Sequence, residues 1–247
     1  MDEPPAHGAP DAIFHRMRYL RSDFRRLEHL ATLRLPIAGR SVLEIGAGIG
    51  DLTSFFLDRD CTVTSVEPRA ENVARFRERY AEDVLWPEGR LRIVASDIRG
   101  LAEHGVGEHD VVFCYGVLNF VSDPEEAIRI LADHCRELLI LEVAATSGPG
   151  LHEDAIQTAD AGPGDAAGPV DGYSCSPTRR WVFERLRNSF ARVYMTRTQP
   201  AFDRFRLDWR EASSGRPRDR VIFVASRTPL RNDDLIEGIP DVHERAP

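Results

Sequence analysis

At positions 42–51, an apolar segment with an acidic residue leads into three closely spaced glycines and a second acidic residue, which is the spacing of a ligand site. These residues read VLEIGAGIGD, and Glu67 closes the next apolar run at positions 62–66. A buried strand that leads into such glycines lets the backbone turn tightly and approach a ligand. A carboxylate about 20 residues further on can bind the hydroxyl groups of a ribose. The spacing therefore indicates a site for a nucleoside-containing cofactor.

The charges around the glycines narrow the choice of cofactor. A dinucleotide site has the pattern G-x-G-x-x-G and binds pyrophosphate at a helix N-terminus, whereas Asp51 stands at the third glycine position here. Glu44 and Asp51 thus flank the loop with two negative charges. These charges disfavour a pyrophosphate and favour a cationic ligand such as S-adenosylmethionine.

At these residues the chain resembles the class I S-adenosylmethionine-dependent methyltransferases, whose first motif is an acid followed by G-x-G-x-G. Three landmarks follow in the expected order: Glu67 ends the second strand, Asp97 and Ile98 follow the third, and Asp110 opens the fourth. The resemblance covers roughly residues 41–143. It implies an α/β, Rossmann-like, seven-stranded fold with an N-terminal helical cover, and S-adenosylmethionine as the cofactor.

The resemblance also implies roles for individual side chains. Glu67 would bind the ribose, Asp97 would accept the adenine amino hydrogen beside the Ile98 amide, and Glu44 would face the methionine amino group. N-terminal segments of related enzymes often close over the cofactor, which makes Tyr19 a candidate. The predicted cofactor-binding residues are Tyr19, Glu44, Gly46, Ala47, Gly48, Asp51, Glu67, Pro68, Asp97, Ile98 and Tyr115.

The catalytic residues are harder to predict, because methyl transfer needs alignment and exclusion of water more than it needs a base. Tyr115 and Asn119, after strand four, and His152, in a long loop, are the candidates. Some bacterial methyltransferases carry a YGLLYHLSDP-type segment where this chain reads YGVLNFVSDP, so Phe120 replaces the histidine. A non-methylating use of the cofactor, such as intramolecular cyclisation, and a cofactor-binding pseudo-enzyme therefore stay open.

The composition excludes several other functions. All 32 basic side chains are arginine, so a pyridoxal Schiff base and a phosphate-binding Walker lysine are impossible. The net charge of −8 gives no overall attraction to nucleic acid. We expect a small-molecule acceptor and neither a nucleic-acid nor a membrane partner; a homodimer stays open. A lysine-free chain also suggests a GC-rich bacterial genome, and hence specialised metabolism.

The chain has neither a run of 18 apolar residues nor a hydrophobic signal region at its start, which predicts a cytoplasmic protein. Its four cysteines lack C-x-x-C spacing, which predicts reduced, buried thiols. Neither these cysteines nor the histidines have the spacing of a metal site, so we expect no metal.

With 247 residues, the chain is long enough for one α/β domain with appendages. We expect a disordered tail (1–10), a helical cover (11–38), the cofactor-binding domain (39–228) with a lid or insertion (144–175), and a C-terminal tail (229–247). Apolar residues at spacings of three and four, among them Phe14, Met17 and Phe24, predict a helix over 11–34. The pair Ser176-Pro177 predicts the start of the last helix.

Overall fold

The computed structural model describes residues 13–81, 89–160, 172–213 and 215–246; the predicted tail at 1–10 lies outside these ranges. The helices are α1 (Met17–Thr32), α2 (Thr53–Leu57), α3 (Ala70–Tyr80), α4 (Pro124–Asp133) and α5 (Arg179–Ser189). The strands are β1 (Ser41–Ile45), β2 (Thr62–Glu67), β3 (Leu91–Ala95), β4 (His109–Tyr115), β5 (Cys135–Thr146), β6 (Ile156–Asp160), β7 (Tyr173–Pro177), β8 (Arg192–Thr196), β9 (Thr198–Gln199), β10 (Arg218–Ser226), β11 (Leu235–Glu237) and β12 (Glu244–Arg245).

Eight of these strands form one central sheet in the order β11-β8-β10-β5-β4-β1-β2-β3. The five strands from β3 to β5 pair in parallel, and β10, β8 and β11 are added antiparallel. Parallel strands need crossovers, which α2, α3 and α4 provide. The carboxyl ends of β1, β2, β3 and β4 therefore meet at one edge, and this edge carries the glycine motif.

The predicted α/β, Rossmann-like fold with an N-terminal helix is confirmed; Glu67 ends β2, and Asp97 and Ile98 follow β3, as predicted. Successive side chains along a strand point to opposite faces of the sheet, and both faces are buried here. On β4, Val111 and Phe113 pack against α1 and α2, while Val112 and Cys114 pack on the side of α4 and α5. The four cysteines are buried and unbonded to one another.

The buried face of α1 differs from the predicted one. Met17 and Phe24, expected on the apolar face, are 70% and 63% exposed. The helix instead buries Asp23, Arg26 and His29 against the sheet. The physical reason is that buried polar groups on the sheet require polar groups opposite them, and this requirement outweighs the periodicity of the apolar residues.

The predicted long loop at 144–175 contains regular structure in its described parts. β5 continues to Thr146, and β6 and β7 pair as an antiparallel hairpin. Ser176 and Pro177 close β7 rather than open the helix, so the predicted N-cap was wrong by two residues. Thr178 is the N-cap, and its hydroxyl accepts a hydrogen bond from the Trp181 amide at 3.1 Å. Residues 161–171 lie outside the described ranges, and the lid stays a prediction.

The predicted C-terminal tail at 229–247 is also wrong in part. β11 pairs with β8 as the eighth strand of the sheet, where seven were predicted, and β12 pairs with β9. These strands have three and two residues, too few for an alternating pattern to stand out from a polar sequence.

β12 and β9 lie beside a buried group of polar side chains. His29 of α1 lies 2.9 Å from the Thr198 carbonyl oxygen, and His243 lies 2.7 Å from that of Thr196. The side-chain amide nitrogen of Gln199 lies 3.1 Å from Nδ1 of His243. Burial lowers the pKa of each histidine to about 4. Both imidazoles are therefore neutral in the folded protein at neutral pH.

This group predicts a loss of stability in acid. Between pH 6.5 and about 4 the unfolded chain protonates His29 and His243 while the folded chain does not, so the free energy of unfolding falls as the pH falls, by about 2 to 3 kcal/mol for each histidine. Urea unfolding at a series of pH values measures this slope. His243→Gln should reduce the proton uptake on unfolding at pH 5 by about one, whereas His104→Gln, on the surface, should not change it. An unchanged slope in His243→Gln would contradict the prediction.

Candidate functional site

A cavity of about 460 Å³ opens at the carboxyl edge of the parallel strands and extends under α1. The residues that form its floor follow β1, β2, β3 and β4, which is where open α/β sheets bind ligands. All eleven residues predicted to bind the cofactor line this cavity: Tyr19, Glu44, Gly46, Ala47, Gly48, Asp51, Glu67, Pro68, Asp97, Ile98 and Tyr115. The structure thus brings together residues that lie up to 96 positions apart in the sequence.

The glycine motif forms a tight loop between β1 and α2. Gly46, Gly48 and Gly50 all have positive φ, at 76°, 58° and 87°, a region that other residues adopt only with strain. A Cβ on Gly46 would lie 2.2 Å from the Val117 side chain, and one on Gly48 would lie 3.2 Å from Phe14. The absence of side chains therefore keeps the floor of the cavity open for a ligand that packs against backbone.

Glu67 ends β2 with its carboxylate beside this loop. Oε2 accepts a hydrogen bond from the Gly48 amide at 3.0 Å, and Oε1 accepts from the Arg69 amide and the Asn72 side chain. These donors fix the carboxylate against the cavity. A carboxylate held in this way can accept two hydrogen bonds from a ribose diol.

Glu44, the residue before the last of β1, lines the cavity and is almost fully buried. Its Oε2 accepts hydrogen bonds from Thr53 at 2.6 Å and Ser65 at 2.7 Å. Burial raises the pKa of Glu44 to about 7, although these two hydrogen bonds oppose the shift. A cationic ligand would stabilise the ionised form, so the site favours positive charge here.

Asp97 and Asp51 line the cavity with carboxylates that already have partners. Asp97 caps the short 3-10 helix that begins at Ile98. Its Oδ2 also forms an ion pair with the Arg99 guanidinium at 2.8 Å. Burial alone would raise the pKa of Asp97. The hydrogen bonds from Arg99 and Gly100 together lower it by more, so the pKa of Asp97 lies below its usual value. Asp51 forms an ion pair with Arg79 of α3. Each of these carboxylates therefore has an arginine partner that offsets its negative charge beside the ligand region.

Tyr115 ends β4 with its hydroxyl buried in the cavity wall, and that hydroxyl has no hydrogen-bond partner within the described residues. Burial raises the pKa of Tyr115 above its usual range, and also that of Tyr19 across the cavity. Each phenol therefore stays protonated at neutral pH. Tyr115 is placed to donate a hydrogen bond to a ligand but not to accept a proton.

The charged residues under α1 are functional candidates that the sequence analysis missed. Glu142 of β5 is fully buried and accepts two hydrogen bonds from Arg26, at 2.7 and 2.8 Å, and one from Arg220 of β10. Arg26 also binds Asp23 at 2.7 Å. Asp23, Arg26 and Arg220 line the cavity. In the sequence, Asp23 and Arg26 resemble an ordinary solvated helix pair, because three-residue spacing is common on exposed faces.

Gly116 explains how the two guanidinium groups fit beside Glu142. Gly116 follows Tyr115 with φ +74°, and a Cβ at this position would lie 3.3 Å from Arg220 Nη1 and 3.9 Å from Arg26 Nη2. The glycine therefore leaves the space that the two arginines occupy beside Glu142. A glycine at the end of a strand was the one sequence signal for a close approach here.

Two of the predicted catalytic residues do not line this cavity. The Asn119 amide donates to the Ala144 and Cys175 carbonyl oxygens, at 2.9 Å each, and accepts from the Ala144 amide at 2.7 Å. Asn119 thus bridges β5 and β7. His152 lines a separate, shallower cavity beside Arg179, and its Nε2 lies 3.3 Å from the Arg210 carbonyl oxygen. Neither position supports contact with a ligand on the glycine loop.

The described residues contain no group of three or more His, Cys, Asp or Glu side chains arranged to hold a metal ion. Of the described helices, none has both the length and the apolar character needed to cross a bilayer.

The fold and the cavity can be compared with those of known proteins. Residues 43–138 match the family model described as a methyltransferase domain. This part of the chain is therefore similar to a methyltransferase domain, in agreement with the resemblance that the sequence motifs carry.

Characterised relatives are similar over part of the chain. A ubiquinone biosynthesis O-methyltransferase of Paracidovorax citrulli is 30% identical over 127 residues, which is 49% of this chain and 52% of that protein. One of Pseudomonas aeruginosa is 31% identical over 126 residues, 48% of this chain and 53% of the relative. The chain thus spans about half the length of the curated relatives it matches.

Solved structures share the fold over most of the chain. The N-terminal domain of EvdMO1 with bound SAH has a TM-score of 0.59 at 16% identity, covering 89% of this chain and 81% of that one. The magnesium protoporphyrin IX methyltransferase of Synechocystis PCC 6803 with bound SAM has a TM-score of 0.55 at 16% identity, covering 92% and 87%. At this identity the likeness concerns the fold alone.

The position of Glu67 predicts a loss of nucleoside binding on truncation. Glu67→Ala removes both acceptors offered to a ribose and should weaken S-adenosylhomocysteine binding by about 2 to 4 kcal/mol. Isothermal titration measures the affinity. Glu71→Ala, on the exposed face of α3, is the matched control and should bind as the wild type does. Wild-type affinity in a folded Glu67→Ala protein would show that the ribose lies elsewhere.

The contacts of Asn119 predict an effect on stability instead of binding. Asn119→Ala leaves three buried backbone groups without their side-chain partner and should lower the free energy of unfolding by about 2 to 4 kcal/mol. Chemical denaturation measures the loss, and calorimetry with S-adenosylhomocysteine should give an affinity within a few fold of the wild type. A stable variant with impaired ligand binding would instead support direct contact of Asn119 with the ligand.

Proposed function

We propose that this protein transfers a methyl group from S-adenosylmethionine to an oxygen or nitrogen atom of a small molecule. The observation that carries the proposal is one continuous cavity. It is lined by the Gly46–Gly48 loop and Glu67, which suit a nucleoside, and also by Asp23, Arg26 and Arg220 under α1, to which the motifs assign no cofactor contact. A cofactor bound at the loop would leave the α1 side of the cavity for a second molecule.

The residues of the loop fit the cofactor in shape and charge. The bare backbone at Gly46 and Gly48 gives room for close packing, Glu67 offers acceptors to the ribose, and Glu44 offers negative charge to the methionine amino group. Asp97 and Ile98 line the same cavity, and we expect them to contact the adenine. When bound, the cofactor supplies a methyl group on a positively charged sulfur, which is already activated for displacement.

The protein's own contribution to the reaction is then alignment and exclusion of water. α1 covers the carboxyl edge of the sheet, and Phe14 and Tyr19 from its N-terminal side line the cavity in a T-shaped pair with ring centroids 5.1 Å apart. Val117 and Phe120 line it from the segment after β4. These apolar groups would hold a small acceptor in place and keep bulk water from the reacting atoms.

We further propose that the acceptor belongs to bacterial specialised metabolism. The lysine-free, acidic composition supports a GC-rich bacterial origin and a small acceptor in preference to nucleic acid. The relatives named above are O-methyltransferases of ubiquinone biosynthesis, and they support oxygen as the methylated atom. The homodimer stays a prediction.

A second candidate is a non-methylating use of the same cofactor, by intramolecular cyclisation. It is favoured by Phe120, which lines the cavity where a related segment has histidine, and by the absence of histidine from the described lining residues. Both candidates share the cofactor site. They differ in whether product forms without an acceptor.

The proposed function predicts the outcome of two measurements. Calorimetry should show micromolar binding of S-adenosylhomocysteine and no binding of NAD, because the charges at Glu44 and Asp51 oppose a pyrophosphate. Mass spectrometry of protein incubated with S-adenosylmethionine should then show S-adenosylhomocysteine only after a metabolite extract is added. Methylthioadenosine formed without an acceptor would favour cyclisation. Cofactor binding without turnover in any extract would favour the pseudo-enzyme, and NAD binding would overturn the assignment.

A further inference from the structure

Asp23 is the acid of the cavity whose position is not accounted for by cofactor binding. It lies on the buried face of α1, is 6% exposed, and lines the cavity on the side of Tyr115 and Arg220. The family resemblance and the motifs assign it no role. Its surroundings differ from those of the other acids that line the same cavity.

The other cavity acids each have hydrogen-bond or ion-pair partners that account for their positions. Glu67 accepts hydrogen bonds from three donors, and Asp97 accepts them from both the backbone amide and the guanidinium of Arg99. The remaining ones are Glu44 with two hydroxyl donors, Asp51 paired with Arg79, Asp123 capping α4, and Glu126 paired with Arg129. By contrast, Asp23 has one hydrogen-bond partner among the described residues, Arg26 on Oδ1.

Arg26 orients Asp23 without neutralising it fully. The guanidinium gives Nε and Nη2 to Glu142 and only Nη1 to Asp23, so a single positive charge is shared by two carboxylates. Arg220 shares Glu142 from the other side. Arg26 is itself fixed by two hydrogen bonds to Glu142 of the sheet, and it anchors Asp23 through Oδ1, which leaves Oδ2 of this cavity-lining residue without a partner among the described residues.

The charges around Asp23 bring its proton affinity close to neutral pH. Burial raises its pKa to about 6, against the lowering by Arg26, and Asp51 and Glu142 raise it further. Tyr19, on the same helix, also faces it and stays protonated. A carboxylate of this kind is ionised at pH 7 and binds a proton more strongly than an exposed aspartate does. These are the properties of an efficient general base.

We propose that Asp23 is the catalytic residue that accepts the proton of a hydroxyl acceptor, with Arg26 and Glu142 as positioning residues. The inference rests on the proposed methyl transfer. The acceptor oxygen bonds to the methyl carbon, the carbon–sulfur bond breaks with its electron pair going to sulfur, and the hydroxyl proton passes to the Oδ2 side of Asp23. The acceptor class is a hydroxyl that is not ionised in neutral solution, since an ionised oxygen has no proton to give.

A pair of probe acceptors separates this role from a structural one. Phenol ionises near pH 10, whereas 4-nitrophenol is substantially ionised in neutral solution. Asp23→Asn keeps an oxygen that can accept the Arg26 hydrogen bond but cannot take a proton. It should lower kcat for phenol by about 100-fold or more and kcat for 4-nitrophenol much less. A purely structural role would lower both equally. The readout is S-adenosylhomocysteine release and the methyl ether product, by mass spectrometry.

The pH profile provides a second arm. In the wild type, kcat for phenol should rise with pH to a plateau above about pH 6, as Asp23 loses its proton; Asp23→Asn should lack this limb. Asp133→Asn, an exposed acid at the end of α4, is the matched control and should behave as the wild type does. Equal losses on both phenols, or an unchanged pH limb in Asp23→Asn, would overturn the proposal.

A third arm requires no acceptor. Carbon NMR of aspartate-labelled protein bound to S-adenosylhomocysteine should show one carboxyl that titrates near pH 6 and is missing in Asp23→Asn. If neither phenol is methylated, this titration decides the matter: an Asp23 signal that titrates at or below the ordinary range for aspartate overturns the proposal. Calorimetry with S-adenosylhomocysteine distinguishes failure of the proposed methyl transfer from failure of the proposed role of Asp23. If the wild type does not bind this ligand, the proposed function itself is rejected.

Discussion

The ion-paired group of Arg26, Glu142 and Arg220 is the constraint on which the arrangement of this protein depends. Glu142 is fully buried in the middle of β5, and a carboxylate in such a place is tolerated only with charged donors around it. β10 provides one donor and α1 provides the other two. The helix is thereby fixed in rotation over the carboxyl edge of the sheet. Removing both arginines would leave Glu142 as a buried, unpaired charge, and breaking a buried ion pair in this way typically costs about 3 to 5 kcal/mol.

This constraint explains why the cavity has two chemically different sides. The side of the glycine loop is made by backbone and by acids that follow β1, β2 and β3, so its character is set locally by motifs. The side under α1 is made by residues from the helix, β4, β5 and β10, which meet only because of the buried ion pairs. Tyr115 lies between them, with its hydroxyl unpaired in the wall. A molecule on one side would therefore contact a molecule on the other near Tyr115.

The same division separates what the sequence could predict from what it could not. Strands β1 to β3 and the glycine loop are local patterns, since alternation, strand length and glycine spacing lie within a few residues, and these predictions agree with the structure. The rotation of α1 was wrong because it is decided by Glu142, 116 positions from Arg26. Asn119 was predicted to be catalytic because it follows β4. In the structure it contacts Ala144 and Cys175, and the hairpin that contains Cys175 was not predicted because the surrounding sequence is rich in Gly and Pro. Short strands such as β11 carry too few residues for a pattern.

The strand β11 has a consequence for how copies of this protein meet. An outer strand offers unpaired backbone groups to another chain, and natural sheets limit this by ending in short, charged strands. β11 has three residues and ends at Glu237, and it is followed by Gly238 and then Pro240, which has no amide hydrogen to donate. β8 behind it is covered. Continuation of the sheet from one molecule into the next is therefore disfavoured at this edge, and contacts between copies would have to use side-chain surfaces elsewhere.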